Sequence, residues 1–230
     1  EDIKALNQLQ QLYISRNRVA ELPNTFGHLV RLQMLSARYN RLKALPPSFG
    51  KLRELKEVDL SSNNFDVFPD PMLLRFVRIL DIHDNMIVEL SESMAKMKFI
   101  KTLNLGENCL RALPVGFSYM TSLHHLRLNC NELENLPANI DGLVSLKSLQ
   151  LDNNLFTELP PQVGFLGNLS SLSLLDNSLN DLPNELVNLH SLKQLKVDGN
   201  PLECFPPNVS GGGQVFSFLS LRVKESEFGL

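Results

Sequence analysis

Residues 146–160 read LKSLQLDNNLFTELP, a segment in which apolar and polar residues follow the pattern of a short strand and a turn. Leu149 and Leu151 alternate with polar residues, which is typical of a short strand that buries one face and leaves the other open. Asn154 follows where the strand must turn, and its short amide can bond to backbone groups that the turn leaves unpaired. Pro160 comes next after Leu159 and ends the unit, because proline cannot continue a strand ladder.

The same pattern recurs along the chain, and an asparagine marks each copy. Successive asparagines are 23 residues apart, apart from one step of 22. A period of this length with one strand per copy indicates a leucine-rich repeat. A Leu-rich helical protein would have a 3.6-residue period and would not place asparagine at a constant spacing. The predicted buried asparagine ladder consists of Asn17, Asn40, Asn63, Asn85, Asn108, Asn131, Asn154, Asn177 and Asn200.

Stacked repeats predict an α/β solenoid in which each unit contacts only its neighbours. We expect a curved horseshoe with a parallel β-sheet on the concave face and irregular or short-helical segments on the convex face. Residues 1–8 read as a partial repeat without its strand, and residues 9–209 as nine repeats of 22–23 residues. Because an apolar solenoid end normally carries a cap, we expect the natural protein to continue upstream of this chain.

Residues 210–230 are predicted to form a capping helix and tail. Val215, Phe216 and Leu219 recur at helical spacing after three glycines, as in a helix folded over the last repeat. A helix lying on a membrane surface is the alternative, but the polar face lacks the expected Lys and Arg.

The third and fourth units depart from the pattern. The third is one residue short, and Pro69 and Pro71 predict that no regular helix forms there. In the fourth unit Ser91 replaces the usual proline and can cap a short helix. We therefore expect an irregular back surface across these two units, caused by a tolerated deletion or by a docking point.

Composition argues against several classes of function. The 22 Lys and Arg residues meet 25 Asp and Glu residues, for a net charge of −3, and no apolar run reaches the ~20 residues that span a bilayer. Cys109, Cys130 and Cys204 are odd in number and do not cluster at the ends, which favours a reducing, intracellular compartment. Asn168 and Asn208 each begin an Asn-x-Ser triplet, a sequence that is frequent by chance.

The residues after each strand resemble those of a particular group. The segment LPPSFGKL, residues 45–52, and the ending from Asn200 to Leu221 resemble the intracellular leucine-rich repeats of Ras-pathway scaffolds, of the Scribble/Erbin group, and of Roco-type and plant Ras-group proteins. This resemblance implies a curved solenoid that serves as a protein-binding platform. It also implies that the partner is a small GTPase, a phosphatase or a component of a kinase pathway.

The open strand positions are the candidate binding surface. The first two units are basic and aromatic, and the third to fifth are acidic. Asp59 and Asp81 should lie directly opposite each other, which disfavours the sheet slightly and would be explained by a basic partner group. The candidate protein-binding residues are Tyr13, Arg38, Tyr39, Glu57, Asp59, Asp81, His83, Asn104, His125, Arg127 and Gln150.

The pattern gives little support for catalysis or metal binding. His83 and His125 would lie two strands, roughly 10 Å, apart, which is too far to share a metal ion. No Gly-rich phosphate loop, Cys-x-x-Cys pair or nucleophile elbow occurs. We therefore expect no enzyme activity, metal ion or cofactor. Because we expect the basic residues to be confined to one end of the chain, in the first two units, we also expect no nucleic-acid partner.

Three functional hypotheses follow. The first is a cytoplasmic, monomeric scaffold or adaptor domain of intracellular signalling, which is not inserted in a membrane and reaches one only through its partners. The second is the ligand-recognition ectodomain of an innate-immune or cell-surface receptor, which a secretory leader or a glycan on Asn168 would favour. The third is a regulatory module of an enzymatic domain attached elsewhere in a longer protein.

Overall fold

The computed structural model describes residues 2–203, in which each repeat contributes one three-residue strand. The strands are β1 (Gln11–Tyr13), β2 (Met34–Ser36), β3 (Glu57–Asp59), β4 (Ile79–Asp81), β5 (Thr102–Asn104), β6 (His125–Arg127), β7 (Ser148–Gln150), β8 (Ser171–Ser173) and β9 (Gln194–Lys196). The capping helix predicted for residues 210–230 lies outside the described residues.

Short 3-10 helices, labelled η1 to η9, alternate with the strands. They are η1 (Asp2–Ala5), η2 (Asn24–His28), η3 (Pro47–Lys51), η4 (Pro71–Leu74), η5 (Glu92–Lys96), η6 (Val115–Tyr119), η7 (Ile140–Gly142), η8 (Pro161–Phe165) and η9 (Asn184–Asn188). These helices cover one face of the sheet and leave the other face open. They take the place of the longer α-helices that usually connect parallel strands.

The nine strands form one parallel sheet in chain order. Leu149 in β7 pairs with Leu126 in β6 and with Leu172 in β8, so each step across the sheet equals one repeat. Among the described residues β1 and β9 each have a single neighbour, so the sheet formed by residues 2–203 is open and does not close into a barrel. The predicted class, a leucine-rich repeat solenoid with a parallel sheet, is confirmed.

The hydrophobic core is a continuous layer between the sheet and the 3-10 helices. Leu149 is fully buried, whereas Ser148 and Gln150 on either side of it are half-buried. This alternation is the one expected for a strand with a single covered face. In the outer part of the layer, the rings of Phe26 and Phe49 stack with their centroids 5.8 Å apart, so that neighbouring units also meet through their helices.

Each ladder asparagine bonds both to its own turn and to the preceding unit. The side-chain amide of Asn108 donates to the carbonyls of Leu105 and Gly106, at 3.1 Å each, and to that of Ile82 in the preceding unit, at 3.2 Å. Its Oδ1 accepts the backbone N–H of Ile87, also in the preceding unit, at 3.0 Å. One side chain therefore satisfies buried backbone groups of two turns that would otherwise lack partners.

The residue before each ladder asparagine has a left-handed backbone. Its φ lies between 52° and 58° at eight non-glycine positions and is 75° at Gly199. A left-handed backbone is unfavourable for residues with a Cβ. These residues adopt it because the turn that positions the following asparagine requires it. The ladder asparagines from Asn40 to Asn177 are buried. Asn17 is exposed and Asn200 is half-buried, and they lie in the first and the last of the described units.

The 3-10 helices continue through the third and fourth units. Asp70 accepts the backbone N–H of Met72 at 2.9 Å, and Pro71 takes the first helical position, where no N–H donor is needed. The Ser91 hydroxyl accepts the N–H of Ser93 at 3.2 Å, as predicted for a helix cap. The expectation of an irregular back surface is wrong here, because η4 has four residues and η5 has five, which is within the three to five residues of the other helices described.

The helices of neighbouring units approach so closely that some positions exclude a side chain. Gly164 in η8 is one of them, because a Cβ there would overlap the backbone carbonyl oxygen of Glu185 in the next unit. Gly167, only three residues later, has open space where its Cβ would lie.

We expect Gly164→Ala to lower the free energy of unfolding by about 1–3 kcal/mol, because the backbone of two units must separate. Gly167→Ala is the matched control and should leave the stability unchanged or raise it slightly. Urea unfolding followed by circular dichroism measures both variants. Equal stability of the two would show that position 164 is not constrained by the neighbouring unit.

Candidate functional site

The open side of the sheet is the candidate site, and we call it the sheet face. In each strand the first and third residues point to this side, while the middle residue enters the core. The predicted site residues in strands are Tyr13, Glu57, Asp59, Asp81, Asn104, His125, Arg127 and Gln150. Arg38 and His83 each follow a strand, and Tyr39 lies in the left-handed turn at the edge of the sheet.

Asp59 and Asp81 are neighbours in the sheet register, as predicted. Each carboxylate, however, has donors of its own. Asp59 accepts the Ser61 hydroxyl at 2.7 Å, while Asp81 contacts His83 Nδ1 at 2.6 Å and accepts the Asn104 amide at 3.1 Å. These bonds offset the repulsion between the two carboxylates. The sheet therefore does not require a basic partner group at this point.

A polar depression of about 400 Å³ crosses the middle of the sheet face. Gly106 opens the depression, because the other units carry a side chain at the equivalent position. A Cβ at position 106 would lie 2.8 Å from Asn129 Oδ1. Asp152, whose Oδ1 accepts the backbone N–H of Leu175 at 2.8 Å, lies on its wall. The sequence prediction missed Gly106, Asn129 and Asp152. A glycine two residues after the predicted strand, at a position that carries a side chain in the other units, was the available signal for this depression.

A smaller depression of about 260 Å³ lies between the first and fourth strands. Its lining includes Tyr13, Met34 and Ile79 together with Glu57 and Asp59. Tyr13 is 64% exposed and Ile79 is 40% exposed, so apolar surface is open to solvent beside the carboxylates. Met34 and Ile79 were absent from the predicted site, because each is a single apolar residue at a position that is polar in most units.

Two arginines stack on one tyrosine at the edge of the first two units. The guanidinium carbons of Arg16 and Arg38 lie 5.4 Å and 5.6 Å from the ring centroid of Tyr39. Stacking of this kind is favourable and holds the arginine heads in place. Within residues 2–203 neither arginine forms a salt bridge, so both keep their charge for an external partner.

His125 lies in a cationic neighbourhood at the start of β6. Burial, followed by the positive charges of His124, Lys147 and Arg127, lowers the pKa of His125 below its ordinary value of 6.5. The rings of His124 and His125 are 6.5 Å apart. His125 therefore stays neutral to a lower pH in the folded chain than in an unfolded one.

Metal ligands and membrane-spanning segments are the remaining kinds of site to consider in the described residues. No cluster of three or more His, Cys, Asp or Glu side chains in the described part of the chain is arranged to hold a metal ion. The Asp81–His83 contact is a half-exposed pair of the kind that contributes little to stability. Across residues 2–203, no helix has the length and apolar character needed to cross a bilayer.

Comparison with protein families identifies the class of protein. A leucine rich repeat model matches residues 75–133 and 144–202, and a second leucine rich repeat model matches residues 8–29. The chain belongs to the leucine-rich repeat family. It is a protein-interaction domain, which agrees with the extended open surface that stacked repeats create. The search of curated proteins found no significant match.

Several solved structures are similar to this chain. A leucine-rich repeat protein of Leptospira interrogans is 31% identical, with a TM-score of 0.85 over 91% of this chain and 53% of its own. The TLR13–ssRNA13 complex is 28% identical, with a TM-score of 0.76 over 85% of this chain and 30% of its own. The ectodomain of the Arabidopsis thaliana receptor kinase GASSHO1/SCHENGEN3, in complex with CASPARIAN STRIP INTEGRITY FACTOR 2, is 25% identical, with a TM-score of 0.66 over 87% of this chain and 28% of its own. This chain thus spans about half of the Leptospira protein.

We expect Lys147→Gln to raise the pKa of His125 towards its ordinary value, because one of the charges that disfavour the imidazolium is removed. The rise should be incomplete, since burial, the largest cause, and His124 remain. NMR titration of the His125 ring measures this shift, with Lys43→Gln as a control on another surface. An unchanged pKa in Lys147→Gln would exclude a contribution of that charge.

The sign of the effect on stability follows from the same shift. As the pH falls below about 6.5, His125 takes up its proton in the unfolded chain before it does so in the folded chain. The free energy of unfolding therefore decreases as the pH is lowered through this range. Replacing His125 by Gln should remove this part of the pH dependence of urea unfolding.

Proposed function

We propose that this chain is the partner-binding domain of an intracellular signalling scaffold or adaptor, and that it holds another protein on its sheet face. One observation carries the proposal. The carboxylates of Asp59 and Asp81 and the arginines around Tyr39 are held in place by neighbouring groups, yet they remain accessible. Binding through groups already in place loses less conformational freedom than binding through mobile ones.

The distribution of charge suggests the chemistry of the partner. Acidic groups would meet Arg16 and Arg38 in the first two units, and basic groups would meet Glu57, Asp59 and Asp81 in the third and fourth. An apolar side chain would enter the smaller depression between them. Tyrosine and arginine are enriched at such contacts. By family resemblance the partner is a small GTPase, a phosphatase or a member of a kinase pathway.

We place this function in the cytoplasm, with any contact to a membrane made through partners. Cys109 and Cys130 are free thiols, and Cys130 is exposed. Exposed free thiols persist in a reducing compartment and tend to be oxidised outside it. No catalytic step is assigned to the sheet face, because its depressions are open to water, whereas catalysis usually requires water to be excluded.

A receptor ectodomain is the second candidate. Two of the similar solved structures, TLR13 with ssRNA13 and GASSHO1/SCHENGEN3 with its factor, are complexes of repeats with a ligand. A regulatory module within a longer protein is the third, since this chain spans about half of the Leptospira protein. Fractionation of cells that express the tagged full-length protein separates the cytoplasmic from the extracellular candidate.

We expect Asp59→Asn combined with Asp81→Asn to reduce partner binding while the unfolding midpoint changes little. At position 59 the amide oxygen can still accept from Ser61. At position 81 the amide oxygen can accept from His83, and the Asn104 amide can turn its oxygen towards the new NH2 group. Both side chains keep their shape, but the two charges are gone. Affinity capture from cells that express the protein, followed by titration of the recovered partner, measures the effect.

Glu134→Gln combined with Glu158→Gln is the matched control. It removes the same charge at exposed positions outside the sheet face. Equal partner binding by the two double variants would remove the acidic part of the sheet face from the proposed function.

A further inference from the structure

A row of cationic side chains runs along the edge of the sheet at which the strands begin. The position directly after the first apolar residue of a unit is Lys or Arg in five of the seven units from the third to the ninth, and histidine in one more. We call this row the basic edge, and its members are Lys56, Arg78, Lys101, His124, Lys147 and Lys193. Ser170 interrupts the row in the eighth unit, and the sixth unit contributes the imidazole of His124. Four of the members are exposed, and Lys56 and His124 are half-buried.

The backbone fixes the spacing of the basic edge. The N–H of Arg78 donates to the carbonyl of Lys56, and the N–H of Lys101 to that of Arg78, at 2.7 Å each. The same bond continues from unit to unit as far as Lys193. Neighbouring members are therefore held about 4.8 Å apart, and the row extends for roughly 29 Å.

Acidic side chains are absent from the surroundings of most of the row. In units four to nine, the first apolar position has no Asp or Glu among the two residues on either side of it. Arg53, Arg75 and Lys98 add further charge two residues before that position. Within residues 2–203, no member of the basic edge forms a salt bridge. The lowered pKa of His125 next to Lys147 is consistent with this positive field.

The opposite edge, where the strands end, has the reverse charge from the third unit onwards. Its exposed acidic residues include Asp84, Glu107, Glu132, Glu134, Glu158, Asp176 and Asp181. Among the described turns around the ladder asparagines of these units, one contains a Lys or Arg residue, which is Arg111. Its Nε lies 3.0 Å from Glu132 Oε2. The small net charge of −3 therefore combines positive charge along one edge of the sheet with negative charge along the other. The expectation that basic residues are confined to the first two units is wrong.

The period of the basic edge favours a helix over an extended segment. An α-helix with one acidic side chain per turn repeats every ~5.4 Å, which is close to the strand spacing of about 4.8 Å. Side chains on one side of an extended strand repeat every ~6.6 Å, which differs much more. The long stems of Lys and Arg can absorb the smaller difference along the row.

Two other anionic partners fit less well. A membrane surface would need a continuous set of apolar side chains beside the charges. The exposed apolar side chains next to the row, Phe99 and Val144, lie two units apart. The residues directly before the first apolar position in units six to nine are Ser122, Ser145, Asn168 and Ser191. A single-stranded nucleic acid would need repeated aromatic platforms. Beside the basic edge, Phe76 and Phe99 provide them in two units only, and Arg75 already covers the Phe76 ring at 4.7 Å.

We propose that the basic edge is a second docking site, separate from the sheet face, which binds an α-helix of a partner protein carrying one stripe of Asp or Glu. The helix lies across the strand starts, with one carboxylate per turn facing one cation per unit. Each exposed ion pair is weak by itself. The binding free energy comes from several pairs formed at once, and it falls as salt screens them.

The test uses two synthetic alanine-rich helical peptides of identical composition. In one peptide the glutamates form a single stripe, and in the other they are distributed around the helix. Fluorescence anisotropy at low salt should show that the striped peptide binds about tenfold more tightly to the wild-type chain. Lys101→Glu combined with Lys147→Glu should weaken this binding about tenfold or more. Circular dichroism confirms that the variant is folded.

Arg18→Glu combined with Arg41→Glu is the matched control, because it makes the same change of charge at exposed positions near the opposite edge of the sheet. It should bind the striped peptide like the wild type, as should Asp59→Asn with Asp81→Asn, so this site and the sheet face are tested independently. Equal affinity for the two peptides, or an equal loss in the control, would overturn the proposal. Preferential binding of phosphatidylserine vesicles or of oligouridine would also overturn it.

Discussion

The side-chain amide of the ladder asparagine is the interaction on which the rest of the structure depends. Each unit turns sharply after a strand of three residues, and the turn leaves backbone donors and acceptors in a dry interior. Asn108 satisfies such groups in its own unit and in the preceding one. Leaving a buried polar group without a partner costs roughly 1–3 kcal/mol. The amide therefore fixes both the turn and the stacking of units, and the strand register follows from it.

This constraint explains how function is distributed over the surface. Because every unit repeats the same backbone, residues at equivalent positions form rows in which neighbouring residues are about 4.8 Å apart. A few substitutions along a row are enough to create a charged edge or a depression without disturbing the core. The row that contains Gly106 opens the polar depression, and the row from Lys56 to Lys193 forms the basic edge. The sheet face and the basic edge can thus engage different partners on one rigid support.

The spacing of the asparagines was enough to predict the solenoid, the parallel sheet and the pairing of Asp59 with Asp81. It was not enough to predict the donors from Ser61, His83 and Asn104, because these depend on side-chain geometry between units. The prolines of the third unit suggested irregularity, but Pro71 occupies a helix start, where its missing N–H costs nothing. The basic edge was overlooked because charge was counted unit by unit and not along equivalent positions.

Hydrogen–deuterium exchange at the Ile87 backbone N–H, in the wild type and in Asn108→Ala, tests the central role of the ladder most directly. The Oδ1 of Asn108 accepts this N–H across the boundary between two units. We predict strong protection in the wild type, and in the variant a marked loss of protection together with a lower unfolding midpoint. Asn135→Ala, at an exposed asparagine outside the ladder, should change neither quantity. Unchanged protection of Ile87 in Asn108→Ala would contradict the account.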